Sequence, residues 1–245
     1  MLYSSVDNKH IKDLKKLNTK KYRDKTSSFL IEGEHLVLEA YKTGHLKELI
    51  LDNDRVMPLN VETSYVTNNV FNYISTLETP PDIMGVCSKL EKKEIGNKIL
   101  ILDNIQDPGN LGTILRTIDS VGLNQVIVSK ETADAYNPKV VRSTMGAIFR
   151  VNIIESDNLL DTLKNIKKHK YKIMATSLET QNSIYDIDYN KKVLVIGNEA
   201  NGVSQEILDY ADEKIKIPML GKTESLNASV ATAVILYEYV RNKIK

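Results

Sequence analysis

The chain has 245 residues, enough for one large or two modest domains with real cores, and its 42% hydrophobic and 27% charged content suits a soluble globular protein. A net charge of +1 excludes a polycation, a single cysteine excludes an internal disulfide or cysteine zinc site, and four scattered histidines give no metal-ligand spacing. No long apolar run is present and no apolar stretch follows the lysine-rich start, so a cytoplasmic protein without metal or membrane partner is expected.

Residues 1–25 hold eight Lys/Arg against three acids, a local charge of +5 that leaves −4 on the other 220 residues. In HIKDLKKLNTKKYRDK, Ile11, Leu14 and Leu17 recur at helical spacing with lysines on the other faces. Such a segment is either a solvated surface helix or a basic arm whose cations displace counterions from RNA. Residues 26–90 alternate short apolar runs with helical patterns, punctuated by Gly33, Gly44 and Pro80-Pro81, with a helix near 69–77 and a strand at 83–88. That is a small α/β domain. The charged EKKEIGNK (91–98) lacks periodicity and reads as a linker.

From 99 to 245, the runs KILILD, QVIVS, FRVNII, KIMATS, VLVIGNE and KIKIP are near-continuously apolar and separated by helices. This predicts a parallel sheet covered on both faces, with ligands at the carboxyl ends of its strands. Three polar loops lie there. In LDNIQDPGNLGTILRTIDSVG, Asn110 is expected to cap a helix whose Leu111, Ile114, Leu115, Ile118 and Val121 form one apolar stripe. Gly112, Arg116 and Asp119 then share the opposite face, where Arg116 is either a surface partner of Asp119 or a functional group. The second loop, IGNEANGVS, holds Gly197, Glu199 and Gly202 but lacks the lysine of a phosphate-binding loop, which argues against a nucleotide hydrolase. The third, IKIPMLGKTESLNASVATA, carries Ser225 and Asn227 into a helix rich in small residues, which suits close packing or a nearby ligand.

Together, N-x-G-x-x-x-R (Asn110, Gly112, Arg116), I-G-N-E-x-x-G (Ile196 to Gly202) and I-P-M…S-L-N-A-S-V-A (Ile217 to Ala231) resemble the three motifs of the SpoU/TrmH family, ribose 2′-O-methyltransferases of the SPOUT superfamily. FLIEGEHLVLEA and TPPDIMGVC resemble the ribosomal-protein-like substrate-binding domain often fused to it. The resemblance implies an α/β fold with a deep C-terminal trefoil knot, a homodimer packed through the knot, S-adenosylmethionine as cofactor and RNA as partner, ribosomal more than transfer RNA. It implies cofactor contacts from Gly197, Ile217 and Leu226, with Thr176, Ile196, Met219 and Asn227 beside them, and a catalytic group of Arg116, Asn110, Glu199, Ser225 and Asn227. RNA contacts are expected from Lys9, Lys12, Lys16, Lys20, Lys21, Arg23, Arg116 and Arg142. Family analogy makes Arg116 the base, but a guanidinium rarely gives up its proton and is better suited to clamping an anion. Transfer-RNA methylation, base methylation by a SPOUT relative and a non-catalytic ribosome assembly factor remain alternatives.

Overall fold

The computed structural model describes residues 1–91 and 99–241, so the expected linker lies, apart from Glu91, outside the described residues. The chain forms two compact units: Met1–Glu91 joined by Asp134–Phe149, and the rest of the described chain.

In the first unit, β1 (Leu2–Tyr3), α1 (Lys9–Lys16), α2 (Lys20–Thr26), β2 (Ser28–Glu32), α3 (Glu34–Lys42), β3 (Leu46–Asp52), β4 (Glu62–Val66), α4 (Asn68–Ile74) and β5 (Ile83–Ser88) follow in order. The sheet runs β1-β4-β3-β5-β2, with β5 antiparallel to both its neighbours and the other pairs parallel. Ile11, Leu14 and Leu17 pack with Leu30, Ile50, Val66, Val70 and Met84 on one face. The basic segment, read as a solvated surface helix or a basic arm, therefore buries its apolar stripe in this core. Its single expected helix is also two, separated by Leu17–Thr19, where the Asn18 side chain donates to the Ile74 carbonyl at 2.8 Å. Phe29 and Ile31 alternate with Leu30 and so point to the other face, where α3 buries Leu36, Val37 and Ala40. The rings of Tyr136 and Phe149 lie 4.9 and 5.9 Å from that of Phe29, which is how Asp134–Phe149 joins this unit although its sequence neighbours belong to the other.

The second unit contains β6 (Leu100–Leu102), α5 (Pro108–Ser120) and β7 (Gln125–Ser129). After α6 (Pro138–Ser143), which lies in the inserted segment, come β8 (Asn152–Ser156), α7 (Leu159–Lys168), β9 (Lys172–Thr176), β10 (Lys192–Ile196), α8 (Gln205–Tyr210), β11 (Glu213–Ile215) and α9 (Ala228–Val240). All six strands are parallel, in the order β11-β9-β10-β6-β7-β8. Each apolar run of the sequence supplies one strand, but β8 begins at Asn152 rather than Phe149, and β11 ends before Ile217-Pro218. Ile101, Ile127, Ile173, Val193 and Val195 pack against Leu163 and Ile166 of α7 and Ile207 of α8. Helices α5 and α9 pack on each other, burying Leu111, Ile114, Leu115 and Ile118 of one and Ile235 and Leu236 of the other. Each such side chain contributes about 2 kcal/mol on removal from water. Parallel strands place the loops after β6, β9, β10 and β11 at one edge of the sheet, which positions the site. Among the described residues, no helix is long and apolar enough to cross a membrane.

Candidate active site

Helix α5 begins one turn earlier than expected. Pro108 lacks an N–H and suits the first helical position, so the cap falls on the preceding residue. Asp107 accepts the Asn110 backbone N–H at 2.8 Å. Asn110 is therefore not the cap, and its side chain is released for another purpose. Gly112 is buried rather than on the exposed face with Arg116, so the covered arc of α5 is wider than its apolar stripe. Nor does Arg116 pair with Asp119, which is held by Arg150 at 2.9 Å. Arg116 is exposed on α5, with Thr113 one turn before it.

The three polar loops meet through hydrogen bonds. The Asn227 Nδ2 donates to Asn110 Oδ1 at 3.0 Å, and Asn110 Nδ2 donates to Glu199 Oε1 at 2.5 Å. Asn227 also caps α9, its Oδ1 accepting the backbone N–H of Ser229 at 3.0 Å and the Ser229 hydroxyl at 2.7 Å. Residues 117 apart in sequence thus form one chain of bonds. Ser225 is exposed in the loop before α9 and does not join it.

The loop after β10 is a tight hairpin, with Asn198 and Gly202 exchanging backbone hydrogen bonds at 2.9 Å. Asn198 Oδ1 accepts the N–H groups of Ala200 and Asn201, and its Nδ2 donates to the Asn104 carbonyl at 2.8 Å. Asp103, which is 7% exposed, donates its backbone N–H to the Ile196 carbonyl and accepts that of Ser204, both at 2.8 Å. These bonds tie the loop bearing Glu199 to the end of β6. Gly197 is required here by its own chain: a Cβ would stand 2.0 Å from Gly202 C and Val203 N. Sequence reading placed Asn198 and Ser229 in their motifs without a role of their own, and missed Asp103. The signal for Asp103 was a carboxylate directly after an apolar strand.

Of the expected cofactor residues, Thr176, Ile196 and Gly197 stand at this edge, and Ile217, Met219 and Leu226 follow β11 in the chain. Thr176 ends β9, with its hydroxyl 3.4 Å from the Val195 carbonyl, and pairs with Ile215 of β11; Ile196 ends β10. Ile217 and Met219 are half-buried, and Leu226 is 36% exposed. A neutral set of apolar side chains beside strand-end backbone suits a nucleoside better than a phosphate, so these residues fit S-adenosylmethionine. Among the described residues, no group of His, Cys, Asp and Glu could hold a metal.

The basic residues of the first unit fall into two groups. Lys9, Lys12, Lys16, Lys20 and Lys21 are exposed on α1 and α2, and Lys15 and Lys16 lie 5.4 and 5.6 Å from the ring centroids of Tyr73 and Tyr22. Hydrogen bonds from Lys12 and Lys16 hold the carboxyls of Asp7 and Asp13 below the usual range. Arg23 is a correction: it is 3% exposed, donates to the Leu17 carbonyl at 2.8 Å and pairs with Asp134, so it is a structural cation that RNA does not reach. Arg142 is half-buried and bonded to Thr76 at 3.0 Å, with Glu32 at 3.5 Å, so its guanidinium is also engaged within its unit.

A parallel α/β domain that gathers amides, a carboxylate and an apolar slot at one strand edge, in a chain with a second unit bearing exposed lysines beside tyrosines, belongs to the class of nucleic-acid-modifying enzymes. Residues 97–237 match the SpoU rRNA methylase family and residues 8–85 the MRM3-like substrate binding domain, and the chain belongs to the SpoU family. It is 38% identical to the 23S rRNA (guanosine(2553)-2′-O)-methyltransferase RlmP of Bacillus subtilis, over 95% of this chain and 96% of that one. Among solved structures, a TrmH-family protein of Porphyromonas gingivalis superposes with a TM-score of 0.86 at 32% identity, covering 97% of this chain and 99% of its own. An AdoMet-bound rRNA methyltransferase of Sinorhizobium meliloti gives 0.85 at 30% identity, covering 99% and 98%.

Proposed function

We propose that the protein is a cytoplasmic enzyme that transfers a methyl group from S-adenosylmethionine to a ribose 2′-hydroxyl of 23S ribosomal RNA, acting as a knotted homodimer. The observation that carries this reading is the bond chain Glu199–Asn110–Asn227, which joins the three motif loops at the carboxyl edge of the parallel sheet. S-adenosylmethionine supplies an electrophilic methyl on a sulfonium. Ile196, Ile217, Met219 and Leu226, with Thr176 and Gly197, form its apolar and backbone surroundings. Arg116 clamps the anionic side of the acceptor, the hydroxyl oxygen as it gains charge or the adjoining phosphate, which its forked donors suit. Asn110, Glu199 and Asn227 fix the frame around it, and Ser225 stands in the loop beside them. The exposed lysines of α1 and α2 hold the RNA backbone, with affinity falling steeply as salt rises.

The ribosomal substrate is supported by similarity to RlmP, which extends over nearly the full chain, first unit included. A homodimer is supported by α9, where Val230, Val234 and Tyr237 lie at helical spacing; Val230 is 49% and Tyr237 50% exposed.

Methyl transfer from labelled S-adenosylmethionine to unmodified rRNA and tRNA, followed by digestion to nucleosides, tests the reading. Label in a 2′-O-methylnucleoside of 23S rRNA, a guanosine first, and its loss in Arg116→Ala is the expected result. Label in tRNA redirects the substrate, label on a base moves the chemistry, and absence of cofactor binding leaves an assembly factor.

A further inference from the structure

A carboxamide can turn by 180° and exchange its oxygen and nitrogen with little change of shape, so its orientation is set by its neighbours. At one end of the bond chain stand the backbone N–H groups of Ser229 and Val230, which can only donate, joined by the hydroxyl of Ser229, a residue 7% exposed whose hydroxyl donates to the same oxygen. At the other end stands Glu199, whose ionised carboxylate can only accept. Both ends demand the same polarity: Asn227 turns its oxygen to Ser229 and its nitrogen to Asn110, and Asn110 turns its nitrogen to Glu199. One N–H of each carboxamide is left outside this chain. Flipping either residue would set an oxygen against the carboxylate or two N–H groups against each other.

We infer that Ser229 is a positioning residue: with Glu199 it locks the Asn110–Asn227 pair in one direction, so that both remaining N–H groups serve as donors at the methyl-accepting centre. The inference rests on the methyltransferase reading. A pair of spare donors suits an oxygen that gains negative charge during transfer. Glu199 thereby acts by accepting a bond from Asn110, and not by taking a proton from substrate.

The test compares the full-length protein with Ser229→Ala, Glu199→Gln and the double variant, measuring kcat, KM for RNA, the cofactor Kd and the melting temperature. Each single change is expected to lower kcat by about three- to tenfold, the worth of one hydrogen bond, with KM and Kd little changed. The double variant is expected to lose more than the product of the singles, because the carboxamide introduced by Glu199→Gln can donate as well as accept and only the backbone N–H groups of Ser229 and, at 3.4 Å, Val230 then oppose reversal. Wild-type kcat in Ser229→Ala, independent multiplication of the singles, or a change in KM or Kd instead of kcat would overturn the inference. Should Ser229→Ala not fold, Glu199→Gln still tests it: a loss as large as that in Glu199→Ala overturns it. If the wild-type protein methylates no RNA, the functional reading fails by itself. The lock is then read by NMR, where Ser229→Ala must shift the side-chain amide signals of both Asn227 and Asn110; unmoved signals overturn it.

Discussion

The two units use sheets in different ways. The first wraps a mixed sheet, helices on one face and α3 with Asp134–Phe149 on the other, and leaves lysines on its outer helices. The second aligns six parallel strands, so every polar loop after a strand emerges at one edge, and links three of those loops by amide bonds. Under the proposed function the difference separates two kinds of recognition. Lysines are point charges on flexible stems and track an RNA backbone without fixed geometry, whereas chemistry needs groups held within a fraction of an ångström.

The sharpest way to break the geometric side is Gly197→Ala. Its Cβ would collide with backbone at 2.0 Å, forcing the hairpin that bears Glu199 to move. Cofactor affinity measured by calorimetry, and kcat with it, should fall on the order of a hundredfold, as a displacement of about 1 Å can cause. Arg116→Ala should cost as much or more in kcat, without moving the loop. The side chain is exposed, so the melting temperature should hold while kcat drops by about 10²–10³. Arg116→Lys should recover little, because an ammonium cannot reproduce the fork.

What the sequence showed, and what it hid, follows the same division. Strand runs and the apolar stripe of α5 were legible because each depends on side chains a few residues apart. The three loops were legible because function concentrates unusual residues there. Arg23 misled, since its partner Asp134 is 111 residues away and its burial depends on a segment borrowed from the other half of the chain. Gly112 misled likewise: its burial comes from tertiary packing, which no local pattern contains. Asp107 as the cap of α5 was available in the sequence, signalled by the proline after it.

Two smaller predictions sharpen the contrast between the cations. Arg23→Ala should destabilise the protein by about 3 kcal/mol in urea unfolding, because Asp134 loses its buried partner. Lys21→Ala should leave stability unchanged and reduce the salt dependence of RNA binding by about one unit of slope. The smallest effect concerns His45. Burial, opposed by a Ser88 hydrogen bond, holds this imidazole below its usual value beside the Phe149 ring. The fold therefore favours the neutral form. Its stability should be full above pH about 6.5, where the unfolded imidazole is also neutral, and decline as pH falls below it. Melting temperatures between pH 7.5 and 5 should show a shallower decline in His45→Gln.

The inserted segment Asp134–Phe149 makes the chain pass between the units three times, and this orders the events of synthesis. A nascent chain that has delivered β5 still lacks Tyr136 and Phe149, so Phe29 has no aromatic cover. By the time residue 149 emerges, β6, α5 and β7 of the second unit have already been made. The two units therefore cannot be completed one after the other, as beads on a string are. The N-terminal one is finished only while the other is half built, and a ribosome pausing before residue 134 would release an open hydrophobic face to chaperones.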